Sequence, residues 1–148
     1  MIDGSRVLLE YNNALRDTQN TAREYGNPIV VWVRGEADVN RDEYGGIKSR
    51  DLGQQITMST STIDYEPSKY KLEKAGLRSA CDVMIVTAMK DWIDEGLAFD
   101  DLEIKRMTVR ISAAPGEANG TLYDVREKSR VNKFANGYLG ISMGLSRR

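Results

Sequence analysis

Apolar and polar residues alternate in three separate segments of this chain, and that period of two is the pattern that most restricts its fold. After Pro28, Ile29, Val31 and Val33 point one way while Val30, Trp32, Arg34 and Glu36 point the other. Between Glu103 and Ser112, Met107, Val109 and Ile111 oppose Arg106, Thr108 and Arg110. From Tyr138 to Leu145, Leu139, Ile141, Met143 and Leu145 share one face, and Gly140, Ser142 and Gly144 share the other. Successive side chains of a strand leave on opposite faces, so each segment predicts a strand with one face in a core. The small residues of the last segment leave room for another backbone to approach closely.

Three further segments read as strands. Gln55 to Tyr65 is rich in Thr and Ile, Asp82 to Met89 (DVMIVTAM) is apolar enough to be buried on both sides, and Thr121 to Lys128 follows a turn. That turn, Ala113 to Gly120, contains Pro115-Gly116 and Asn119-Gly120, strong hairpin punctuation. Asn119-Gly120-Thr121 also matches a glycosylation sequon, but no secretion signal accompanies it, so the turn reading is preferred.

The front of the chain has a different period. Leu8, Tyr11, Leu15, Thr18, Ala22 and Tyr25 recur at three- and four-residue steps, the stripe of an amphipathic helix. Asp3 or Ser5 is placed to cap its start, and Gly26 and Pro28 to stop it. The stripe weakens after Leu15, so the helix is expected on a surface. A second, short helix is expected between Pro67, as first helical residue, and Gly76, just past the end. Residues 37–54 (ADVNRDEYGGIKSRDLGQ) lose all periodicity and read as a long charged loop, a kind of segment that in compact domains is usually functional or disordered. The expected fold is mainly β: a small antiparallel barrel or sandwich, with an N-terminal α-helix and one short internal helix. A length of 148 residues suits a single domain, with the helix over 1–26 and a barrel-like body over 28–148.

Residue usage narrows the chemistry. The chain has no histidine and one cysteine, Cys81. Histidine supplies most general acid–base catalysis near neutrality and is a principal zinc ligand. Its absence excludes Ser-His-Asp and Cys-His arrangements and the usual zinc sites. Cys81, within Ser79-Ala80-Cys81-Asp82-Val83, reads as a small buried hydrophobe. One cysteine forms no internal disulfide, which fits a reducing compartment. Asp91, Asp94, Glu95, Asp100 and Asp101 form an acidic cluster, and paired carboxylates can hydrolyse glycosides or hold magnesium when they converge. The simpler reading is a solvated turn flanking Trp92 and Leu97. Gly45-Gly46 lacks the spacing of a phosphate loop, and the aromatic residues are too scattered for a base-stacking platform. No enzyme class, cofactor or metal site is expected. The first ten residues hold a three-residue apolar run and no later segment approaches the length of a membrane span, so the expectation is a soluble chain without a cleaved signal.

The net charge of −1 is unevenly spread. From Glu103 onward nine basic residues (Lys105, Arg106, Arg110, Arg126, Lys128, Arg130, Lys133, Arg147 and Arg148) face four acidic ones, giving +5 against −6 for residues 1–102. Such a half attracts nucleic acid or an acidic partner, serves a head-to-tail oligomer with unlike faces, or is simply solvated. Trp32 and Trp92 each suit a core anchor or an interface anchor, with burial in the core the commoner fate.

Several segments together carry a resemblance. Asp82-Val83-Met84-Ile85-Val86-Thr87-Ala88, Lys90-Asp91-Trp92 and Leu102-Glu103-Ile104-Lys105-Arg106-Met107-Thr108-Val109 are followed by Val131-Asn132-Lys133-Phe134 and by Gly137-Tyr138-Leu139-Gly140-Ile141-Ser142-Met143-Gly144-Leu145. In strand pattern they resemble small tailed-phage head–tail connector proteins, in particular the head-closure or stopper group, over roughly residues 28–148. The resemblance implies a virion protein, assembled in the host cytoplasm, whose barrels form a homo-oligomeric ring below the portal and its adaptor. It implies a tail or tail-terminator protein as the other neighbour, genomic DNA in the lumen read without sequence specificity, no membrane and no catalytic residues. A mobile channel-closing loop belongs to that picture. Residues 37–54 are the candidate, with Arg41, Lys48 and Arg50 toward phosphate, Gly45-Gly46 as a flexible tip and Tyr44 beside it. Trp32, Trp92, Arg147 and Arg148 are candidates for contacts between subunits. The long N-terminal helix departs from the smallest stoppers and leaves a tail-terminator or neck role open. A different class of function, a monomeric nucleic-acid-binding barrel using the basic C-terminal half, is the alternative.

Overall fold

The computed structural model describes residues 4–33, 39–41, 47–50, 54–111, 121–134 and 137–147, with backbone alone for 4–7, 39–41, 47–50 and 101. In chain order the elements are α1 (Gly4–Tyr25), β1 (Asn27–Val33), β2 (Val39–Arg41), β3 (Ile47–Arg50), β4 (Gln54–Tyr65), α2 (Lys69–Lys74), β5 (Val83–Ala88), α3 (Met89–Asp94), two 3-10 turns (Phe99–Asp101 and Ile104–Arg106), β6 (Met107–Ile111), β7 (Thr121–Phe134) and β8 (Gly137–Arg147).

Six of these strands form a closed antiparallel barrel in the order β1-β4-β5-β8-β7-β6, with β6 returning to β1. Of the two expected architectures, barrel and sandwich, the chain adopts the barrel. The alternating residues line its interior: Ile29, Val31, Met107, Val109, Ile111, Ile141, Met143 and Leu145 are all at most 2% exposed. Ile56, Met58, Val83, Ile85, Tyr123 and Val125 complete the filling.

Two one-residue shifts adjust what faces inward. The β4–β5 register slips between Thr60 and Thr62, and the β7–β8 register slips between Val125 and Glu127. A bulge reverses the faces of every residue beyond it. After the second shift Lys128 and Arg130 lie opposite the inward residues Met143 and Ile141, so β7 turns cationic side chains over one mouth of the barrel. There they flank the Phe99 ring, each at 4.1 Å from its centre, and Lys128 Nζ donates to the Phe99 and Leu102 carbonyls.

That mouth is plugged by the segment between β5 and β6. The acidic stretch expected as a solvated turn contains α3 instead, because Trp92 pulls it inward. Trp92 is fully buried, and its indole N–H donates to Thr87 Oγ1 at 2.9 Å while Thr87 donates onward to Ile141 O at 3.1 Å. Leu102, 2% exposed, completes the plug. The 3-10 turn at Ile104–Arg106 also shortens the strand expected from Glu103, which begins only at Met107.

Helix α1 lies across this end of the barrel. Its buried stripe is Leu15, Gln19 and Ala22, with Tyr11 donating through its hydroxyl to Tyr138 O at 2.8 Å. Leu8 and Tyr25, at the ends of the expected stripe, are exposed, as a surface helix requires. Ser5 lies inside the helix rather than at its cap. Gly26 serves close approach and does not adopt left-handed geometry: a Cβ there would stand 1.9 Å from Thr60 O and 2.4 Å from Ala22 O.

On the outer wall, α2 and residues 75–81 cover the small side of β8. Ser142 is fully buried and donates to Ala75 O at 2.6 Å, while Gly144 faces Cys81 and Leu77. Leu72, Ala75, Leu77 and Met84 form a second small core there. The backbone for which β8 leaves room is thus the chain's own. Helix α2 begins at Lys69 and not at Pro67, because Ser68 caps it with a hydroxyl that accepts from Lys71 N–H, and Gly76 follows the end with φ +78 as expected. The β4–α2–β5 connection is secured from beneath by Glu127, whose carboxylate accepts from the consecutive Arg78 and Ser79 N–H groups. The expected hairpin punctuation at 113–120 lies outside the described residues.

Two substitutions test this packing by chemical denaturation. Trp92→Ala is expected to cost about 3–5 kcal/mol through the cavity it leaves in the plug. Gly26→Ala is expected to cost about 1–3 kcal/mol, because backbone oxygens on two elements stand where the methyl group would go.

Candidate assembly surfaces and the buried carboxylate

Between β1 and β4 the chain leaves the barrel. The segment expected to be an unbroken loop over 37–54 contains a separate two-stranded antiparallel sheet, β2 with β3, and its last residue, Gln54, already begins β4. Val39 pairs with Arg50, Asn40 with Ser49, and Arg41 with Ile47 after a shift in register. Strands of three and four residues are too short to impose a visible alternation. Arg41, Lys48 and Arg50 therefore sit on paired strands. Tyr44, Gly45 and Gly46 lie outside the described residues.

Both tryptophans take the core alternative. Trp92 is in the plug. Trp32, 8% exposed, lies on the opposite face of β1 from the barrel filling, with the Arg110 guanidinium over its ring at 5.4 Å. Arg147 ends β8, is exposed, and donates its backbone N–H to Asp82 Oδ2 at 2.8 Å. Arg148 lies outside the described residues. Cys81 is half-buried against Gly144, and burial pushes its thiol up, away from a reactive thiolate.

Four cations of the basic half are engaged within the chain. Arg110 stacks on Trp32, Lys128 and Arg130 grip Phe99, Arg106 pairs with Glu103 at 3.2 Å, and Arg130 pairs with Asp100 at 3.2 Å. The contacts of Lys128 and Arg130 hold the plug to the barrel mouth.

The acidic cluster does not converge. Glu95 accepts from Gln54, and Asp100 turns to Arg130, with its side chain 84% exposed; the side chain of Asp101 lies outside the described residues. Only Asp91 and Asp94 meet, through a residue that the helical stripe did not single out. Gln19 Nε2 donates to Asp91 Oδ1 at 2.7 Å and to Asp94 Oδ2 at 2.9 Å. Lys90 pairs with Asp94 at 2.6 Å, and Arg23 reaches Asp91 at 3.5 Å. Asp91 is not solvated: it is 6% exposed, and its Oδ2 is buried without a hydrogen-bond partner. Burial pushes its carboxyl up against the opposing pull of Gln19 and Arg23. The Lys90 ammonium, with the Gln19 amide, holds Asp94 down. A Gln four residues after Leu15 and three before Ala22, on the buried side of α1, was the available signal for this network.

The two carboxyls give opposite pH dependences. The raised Asp91 carboxyl contributes stability that is complete below its unfolded value of about 3.9 and is lost as pH rises through its folded value. Asp94 contributes stability present above about 3.9 and lost as pH falls through its folded value. Asp91→Asn keeps an oxygen to accept from Gln19 and removes the ionisation. It is expected to hold or raise stability at pH 7 and to flatten the decline that wild type shows from about pH 4 toward neutrality. Asp91→Ala, which strands Gln19, is expected to lower stability at every pH; denaturation midpoints across that range measure both.

Comparison with protein-family models, with curated proteins and with solved structures finds no match to this chain.

Proposed function

We propose that this chain is a structural subunit of the tailed-phage head–tail interface, a ring-forming protein that joins portal or adaptor to tail and helps close the DNA channel. The observation that carries the reading is the paired arm on a filled barrel. The barrel interior is occupied by its own side chains, and the β2–β3 hairpin leaves it between two neighbouring strands. A filled barrel with a separate two-stranded sheet inserted between two of its strands suits a ring in which bodies stand side by side and that sheet serves as an arm toward the axis. Arg41, Lys48 and Arg50 belong to that arm, and cations on it would meet the phosphate backbone without reading sequence. The resemblance of residues 28–148 to the head-closure group supports the same assignment, and it makes the virion the expected location.

In this reading the protein acts by assembly and gating. Its neighbours are further copies of itself, the portal or adaptor on one side and a tail or tail-terminator protein on the other. Native mass measurement of the purified chain, alone and mixed with portal complexes, tests it. A closed ring, or a monomer recruited into one on the portal, is the expected result. A chain that stays monomeric in both settings and binds DNA with steep salt dependence would overturn it in favour of a nucleic-acid-binding barrel. Replacing Arg41, Lys48 and Arg50 together with serine is expected to leave ring mass unchanged while lowering DNA retention in assembled heads.

A further inference from the structure

Closure of the barrel leaves two stretches of strand that outrun their neighbours. Strand β1 accompanies β4 only as far as Thr60, and beyond the register shift Ser61–Tyr65 is paired with β5 alone. Strand β6 accompanies β7 only from Thr121 to Asp124, while β7 continues beside β8 to Phe134. Leu102 O accepts from Lys128, and Phe99 and Asp100 meet the Arg130 side chain, while no described strand pairs with Ser129–Phe134 on that side. Among the described residues, then, two stretches of strand, of five and six residues, are paired with a strand on one side only. A bare edge is a template for pairing with another chain.

Their composition is complementary. On the β4 side Asp64 is already paired with Lys71 at 3.0 Å, which leaves Glu66, the residue after the edge; on the β7 side Arg130 is held by Asp100 and Phe99, which leaves Lys133. Each also ends in an exposed aromatic residue, Tyr65 at 51% and Phe134 at 37%. Lys133 against Lys133, or Glu66 against Glu66, is repulsive, while a β4 edge against a β7 edge sets Glu66 near Lys133 and joins edges of similar length. We infer that the Ser61–Tyr65 edge of one copy pairs with the Ser129–Phe134 edge of the next, extending the sheet from subunit to subunit in a head-to-tail contact. The inference rests on the ring reading above and names the surfaces that build the ring.

Cysteine cross-linking of the full chain tests it. In a Cys81→Ser background, Thr62→Cys is combined with Lys133→Cys or with Phe134→Cys, the pair covering both alternations of an unknown register. Under mild oxidation the expected product is a ladder of disulfide-linked multimers ending at the ring's own mass. A ring of normal mass with no such ladder from either pair overturns the edge contact while leaving the ring reading intact. A chain that neither associates nor cross-links, alone or on portal complexes, overturns both. Charge exchange supplies a readout independent of thiols. Lys133→Glu alone is expected to weaken association at least tenfold, and adding Glu66→Lys to restore most of it. Equal association by wild type, single and double variants, each with unchanged circular dichroism, would count against the contact.

Discussion

The structure depends on the double pairing of β1. Residues Ile29 to Val33 are hydrogen-bonded to β4 on one side and to β6 on the other, so a strand of seven residues is the seam that turns a meandering sheet into a barrel. Without it, β4 and β6 would both be edges along their inner halves, and the fully buried Val31 and nearly buried Ile29 would lose the facing wall. Because β1 is so short, its ends fix everything attached to them. Helix α1 joins through a single residue, Gly26, held against Thr60 O, and the β2–β3 arm departs at the other end. The helix is therefore positioned by the strand that closes the core.

A second consequence of closure is that a small barrel needs stoppers of its own. The plug is apolar at its centre, in Trp92 and Leu102, and polar where it meets α1. Apolar contacts such as those of Leu15 and Ala22 tolerate a slide or rotation of a helix at modest cost, whereas hydrogen bonds with fixed geometry do not. Gln19 satisfies Asp91 and Asp94 together in one setting of α1. Its amide contributes register to a contact whose apolar part is only a few side chains wide. The cost is the Asp91 carboxyl, buried with one oxygen unpartnered and pushed up by that burial. Stability is exchanged there for a defined orientation of α1, a role buried polar groups fill in some helical interfaces.

Much of the barrel was legible in the sequence because alternation is a local signal. The segments of β1, β6 and β8 present their apolar residues to the interior as read, and the small residues of β8 do receive a backbone. What escaped is non-local. The shifts after Thr60 and Val125 leave no mark in composition, yet the second decides that Lys128 and Arg130 face the barrel mouth. Helix α3 has six residues, too few to show a period, and exists because Trp92 finds Thr87 and a cavity to fill. Asp91 looked solvated because its neighbours are acidic, and only the packing of α1 puts it out of reach of water. Strands β2 and β3 were invisible for the same reason as α3, since their pairing and not their pattern defines them.

The two outrunning edges have consequences for symmetry. A contact built on one kind of edge repeated twice would be isologous and would stop at a dimer. Here such a contact would set Lys133 against Lys133 or Glu66 against Glu66. The proposed combination joins unlike edges, and each copy would keep one edge of each kind for the next. Heterologous contacts of that type either close into a ring or run on as a filament, and the angle between the two edges decides which. That angle is set by β4, β5, β8 and β7, four consecutive strands of one closed barrel, and so it cannot relax independently of the core. On the proposed contact, the angle between those two edges would decide whether copies close into a ring and how many complete a turn.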